Sequence, residues 1–209
     1  MIRFEQAKQI WKQYHLGFYA SVAGSFVMGT IHLVSVCIHF DWIIFNYMLF
    51  CYLMMLTRVF MRVFSRHGKK GAAYLVGSIA LVFLLFPLVA SLVMTMLYKD
   101  APSYIFDWML YAYALYAFVK MGVAIKNIVK SEEEKKPFSY LSLISAAFTM
   151  FMLEFSMIKT YSKDGAMFPM LLWSQGVIIA FTLLVLGLFA FRYIKAFRQR
   201  EKTPLDSQG

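Results

Sequence analysis

An ionisable side chain inside an apolar helix is costly to keep, so each one is a candidate for chemistry. Glu154 is the sharpest case, set in Phe148-Thr149-Met150-Phe151-Met152-Leu153-Glu154-Phe155 with no cation three or four positions before it. A carboxylate there needs a partner from another helix, or serves as a proton- or cation-responsive group in a cavity. His32 is next. Gly17, Ser21, Ser25, Gly29 and His32 recur one turn apart, a stripe of small residues of the kind that lets helices approach closely in lipid. That stripe turns His32 toward neighbouring helices and away from acyl chains. Counted from the same helix ends, Gln175 lies at a depth similar to that of His32, and Glu154 and Asn46 lie somewhat shallower. These four form one predicted polar cluster, open to a small solute or ion.

A second constellation is cationic. Tyr113, Tyr116 and Lys120 stand at i, i+3 and i+7, so one helix face carries two phenols and an ammonium. Such a stripe suits an anionic headgroup or an anionic substrate. Lys120 and Arg58 also fall late in their spans, where long cationic side chains ordinarily reach back to the interface.

Other chemistries lack their residues. His32 and His39 sit on one face, whereas bis-histidine haem needs ligands from opposed directions, so no haem, other cofactor or metal is expected. No paired acids for lipid phosphate chemistry, Gly-rich phosphate loop or Ser/Lys protease pattern is present, and an enzyme is not expected. Cys37 and Cys51 both lie in apolar segments and read as free thiols.

The elements that must position these residues are membrane helices. The 209 residues are 61% hydrophobic and 15% charged, with mean hydropathy +0.63, too apolar for a soluble domain. A spanning helix needs about 20 apolar residues. The pattern predicts an all-α chain with spans at 16–39, 42–64, 73–98, 104–127, 139–159 and 167–191, packed as one bundle. A basic N-terminus (1–15) precedes this transmembrane domain (16–191), and a basic tail (192–209) follows it.

The net charge of +10 follows from topology and points to no nucleic-acid partner. Lys and Arg gather before the first span (Arg3, Lys8, Lys12), around the second connector (Arg58 to Lys70), around the fourth (Lys120 to Lys136) and after the last span (Arg192 to Lys202). Only Lys99, Lys159 and Lys163 fall on the other side. The positive-inside rule therefore places both termini in the cytoplasm, in a plasma or inner membrane. The Arg192–Lys202 stretch offers anionic lipid a surface there.

Phe40-Asp41-Trp42 and Phe106-Asp107-Trp108, with the helices behind them, match at an offset of 66 residues. Lys69-Lys70-x-x-x-Tyr74-Leu75 and Lys135-Lys136-x-x-x-Tyr140-Leu141 share it, suggesting a two-helix hairpin used three times. Three-hairpin construction resembles the mitochondrial carrier family in topology. That family's Pro-x-Asp/Glu-x-x-Lys/Arg motif does not occur in this sequence, so none of its function is carried over. Two functions remain. One is binding or transport of a small solute or ion. The other is non-catalytic interaction, as a sensor, immunity or assembly factor or membrane subunit, in a homo-oligomer or with a partner membrane protein, for which fifteen methionines supply adaptable apolar surface.

Overall fold

The computed structural model describes residues 2–66, 70–97, 107–131, 136–161 and 168–202. They form six helices: α1 (Ile2–Ile38), α2 (Trp42–Arg66), α3 (Lys70–Leu97), α4 (Asp107–Lys130), α5 (Lys136–Tyr161) and α6 (Phe168–Lys202). Each contains a stretch long and apolar enough to cross a membrane, from Phe18–Ile38 in α1 to Pro169–Arg198 in α6. The six helices coincide with the six predicted spans and fit an integral membrane protein. Both terminal helices overrun their spans. α1 already begins at Ile2, because no proline interrupts the sequence up to Ile38, and α6 continues to Lys202, just short of Pro204. The third and fifth connectors, the acidic part of Ser131–Glu134 and the tail from 203 to 209 lie outside the described residues.

Helix ends show why the chain turns where it does. Asp41 is the N-cap of α2: its Oδ1 accepts the backbone N–H groups of Ile43 at 2.7 Å and Ile44 at 3.2 Å. Phe40 folds back over the start of that helix, its ring 4.8 Å from Trp42 and 6.0 Å from Phe45. Ser131 closes the far end of α4. Its hydroxyl donates to the Asn127 carbonyl and lies 2.6 Å from the Ser139 hydroxyl at the start of α5.

Packing follows a definite order. α2, α3, α6 and α5 form a closed cycle, each touching the next, around Phe50, Phe148, Phe151, Leu84, Leu88 and Phe189. Among the described residues the backbone of α1 comes close to that of α2 alone, and that of α4 to α5 alone. Among the described residues no Cα of α1 comes within 8 Å of a Cα of α4. Consecutive α3 and α4 do not meet either, so the three sequence hairpins do not share one packing arrangement. The burial of the spans reflects this order: 56% in α2 and 61% in α5, against 17% in α1 and 11% in α4. The rest of α1 and α4, including Phe26, Leu115, Phe118 and Val129, is exposed apolar surface that only lipid or a partner would cover.

α3 runs as unbroken helix through Pro87, which is buried. One residue on, the Leu88 carbonyl accepts the Gln175 amide of α6 at 3.2 Å. The α3–α6 contact is tightest at Gly77. A Cβ built there would collide with two ring carbons of Phe189, whose side chain is fully buried. Gly77→Ala should therefore lower the melting temperature of the purified protein, costing about 1–3 kcal/mol by overpacking, although Ala is the better helix former. Gly187→Ala in α6, where the new methyl meets nothing within 4 Å, is the control and should not destabilise.

Candidate functional site

The order of packing leaves a trough on one side of the four-helix cycle. Its floor is α2 and α5, its walls are α1 and α4, and polar side chains from all four helices meet in it. The node at its centre is Thr149 on α5. The Thr149 hydroxyl donates to the Ser145 carbonyl at 2.8 Å, which uses its only proton. It therefore accepts twice: from Lys120 Nζ of α4 at 2.8 Å and from the Tyr47 hydroxyl of α2 at 2.9 Å. Since an ammonium can only donate, Tyr47 must be a donor as well, and its oxygen is free to accept.

Above this node, toward the Asp41 end, three aromatic groups close together. The His32 ring of α1 lies edge-on to Tyr47 at 4.7 Å and to Tyr113 of α4 at 6.2 Å. His32 Nδ1 is 2.7 Å from the Met28 carbonyl. A carbonyl only accepts, so Nδ1 carries the proton and Nε2 of the neutral ring is an acceptor. Tyr113, whose hydroxyl is buried beside that of Tyr47, has no well-aligned hydrogen-bond partner. Below the node, the Tyr116 ring lies 5.3 Å from Lys120 Nζ, a cation–π contact, and the buried Cys51 thiol shares the space.

Deeper still, Arg58 of α2 crosses to α1. Its Nη1 donates to the Ser21 carbonyl at 3.1 Å and to the Ser25 hydroxyl at 2.8 Å. The small-residue stripe of α1 is what admits it. Ser25 and Gly29 are buried against α2, and a Cβ at Gly29 would already stand 3.1 Å from the Tyr52 ring. Tyr52 adds a hydroxyl contact to Thr30 at 3.3 Å.

Two cations thus occupy the trough, near enough to repel one another. Lys120 has three donors and uses one; Arg58 uses Nη1 and leaves Nε and Nη2 without a partner among the described residues. No carboxylate reaches either of them among the described residues, and the only acid in the six spans is Glu154. Buried charge is ordinarily paired. Here the pairing group is missing, and the arrangement can accept an anion.

Lys120 does not reach the interface by extending its side chain. Ten residues of α4, about 15 Å at 1.5 Å per residue, separate it from Lys130, and its Nζ is held by Thr149. Arg58 likewise turns inward to α1, contrary to the expectation for both side chains.

The four-residue cluster expected from depth is not assembled. His32 reaches the trough, but Glu154 stands five residues after Thr149, about 140° around α5. Its Oε1 is buried without a hydrogen-bond partner. Gln175 is fully buried between α6 and α3, bonded to Leu88 and with Oε1 unpartnered. Asn46 is buried on α2 about 100° around from its neighbour Tyr47. By contrast Tyr113, Tyr116 and Lys120 do converge on one space, joined there by Tyr47, Cys51, Arg58 and Thr149. The signal for the α2 members was present in the spacing Tyr47, Cys51, Met54, Arg58, which is one helix face. Among the described residues no three of His, Cys, Asp and Glu come together as a metal-binding group.

Compared with known proteins, the chain matches no family model, no curated protein and no solved structure.

The node makes a sharp prediction. Thr149→Val keeps shape but leaves the Lys120 and Tyr47 donors without their acceptor, at about 1–3 kcal/mol each. Unfolding of the purified protein in detergent should show Thr149→Val destabilised by that order and Thr149→Ser close to wild type. Equal stability of the two variants would remove Thr149 from its central role.

Proposed function

We propose that the chain is an integral membrane protein, a six-helix bundle with both termini in the cytoplasm, that binds or transports a small anionic solute in the trough between α1, α2, α5 and α4. The observation that carries this reading is the pair of buried cations, Lys120 and Arg58, with unused donors and no acid within reach among the described residues. Tyr113, Tyr116 and His32 supply further polar edges along the same face. The reading is of a binding or transport protein and not of an enzyme, since a receptor for negative charge needs no nucleophile. The arrangement of Lys and Arg in the sequence supports a plasma or inner membrane, with the basic end of α6 at the cytoplasmic lipid surface.

A second reading, as an interaction subunit, has one observation of its own. Glu154 carries a buried, unpartnered carboxylate oxygen on a side of α5 turned away from the trough. In that reading a cationic group of a partner membrane protein satisfies it.

Titration of the detergent-purified protein with inorganic phosphate separates the two. Binding should weaken about tenfold or more in Lys120→Met, the order expected when one partner of a buried charge pair is removed. Glu154→Gln should bind phosphate as wild type does. Phosphate binding that survives Lys120→Met, or that wild type lacks, contradicts the proposal.

A further inference from the structure

Along its side the trough is closed by side chains alone. α1 and α4 both line the cationic site, yet their backbones nowhere approach within 8 Å among the described residues. Only side chains span the gap, with His32 edge-on to Tyr113 and the Tyr116 hydroxyl 3.9 Å from the Cβ position of Gly24. These pairings run antiparallel, which sets Ala20 across from Val123. The rim they define is small and apolar: Ala20, Gly24 and Ile31 on α1, Val119 and Val123 on α4, with Ile31, Val119 and Val123 each 43–57% exposed. In a bilayer that rim faces acyl chains, so side chains, and no backbone, separate the buried cations from lipid on that side.

The polar groups inside the slot also form a ladder. From His32, Tyr47 and Tyr113 near the Asp41 end it passes through Lys120, Thr149 and Cys51 to Arg58 and Ser21. Its rungs are about two turns apart, seven residues from Tyr113 to Lys120 and seven from Cys51 to Arg58, and Lys120 stands midway, about 20 Å from Asp107 and 15 Å from Lys130 along α4. A water-soluble anion would need a path from a membrane face. An anion carried on an acyl chain needs none, because its chain stays in lipid while its head lies against the ladder.

We infer that the occupant of the trough is an anionic amphiphile, an acidic headgroup on an acyl chain, admitted sideways between α1 and α4. The headgroup takes the unused donors of Lys120 and Arg58 after Tyr116 turns away from Gly24, and the acyl chain leaves across the Ala20–Val123 rim. This inference rests on the anion-binding reading and adds the class of ligand and its route.

The test uses the full chain in detergent micelles with three probes: a fluorescent phosphatidylglycerol, a phosphatidylcholine with the same label and chains, and inorganic phosphate. The phosphatidylglycerol should bind at least tenfold tighter than the phosphatidylcholine. Ala20→Trp with Val123→Trp, which fills the rim without touching the cations, should weaken phosphatidylglycerol about tenfold and leave phosphate within twofold. Either single Trp variant should show the same order if the pair folds poorly. Leu115→Trp, on an exposed face of α4 away from the slot, should change neither ligand. Equal binding of the two lipids overturns the inference. So does rim filling without effect while phosphate still depends on Lys120, and in that case the anion-binding reading stands. If no probe depends on Lys120, both fall.

Discussion

Two cations share an apolar interior with no acid among the described residues to offset them, and most features of the structure become intelligible from that constraint. Charge taken out of water needs hydrogen bonds and an opposite charge. Lys120 receives the first from Thr149 and the Tyr116 ring, and Arg58 from Ser21 and Ser25. Neither receives the second from the described residues. Hydrogen bonds to neutral groups hold the cations in place while leaving their charge to attract something else. A carboxylate on α2 or α5 would have made a stable internal pair and closed the trough to anions.

Helix order converts that local chemistry into a place. α4 docks on α5 through small and apolar contacts, Ala117 and Leu110 against Leu153, so the opposite edge of its polar stripe is turned toward α2. α1 docks on α2 because Gly29 lets the Tyr52 ring in close and Arg58 bonds to two groups of its small-residue stripe. Since α1 and α4 each hold to one side of the floor, their backbones stand apart among the described residues and only side chains close the trough between them. The α2–α3–α6–α5 cycle behind it, locked at points such as Gly77 and Phe189, supplies a rigid backing.

Much of this could be read from the residues. Apolar length is a one-dimensional property, so six helices were legible, and the i, i+3, i+7 spacing placed Tyr113, Tyr116 and Lys120 on one face before any packing was known. Azimuth relative to neighbours is different in kind. Glu154, His32, Asn46 and Gln175 do lie at similar distances from their helix ends, but which helix touches which decides where each one turns, and α3 and α6 claim Gln175 while α5 turns Glu154 aside. Arg58 was ambiguous for another reason. Eight residues from the end of α2, a cation can extend to the interface or fold inward, and only the serines of α1 decide the matter. The 66-residue offset sets α2 against α4 and α3 against α5, and α2–α3 and α4–α5 do each pack together, whereas consecutive α3 and α4 do not meet among the described residues.

Native mass spectrometry of the chain extracted from its own membrane in mild detergent tests the uncompensated cations most directly. Wild-type protein should carry a bound acidic species, seen as a discrete added mass, and Lys120→Met should lose it while remaining folded. Wild-type protein of bare chain mass, or an adduct retained unchanged by Lys120→Met, would contradict the trough as a receptor for negative charge.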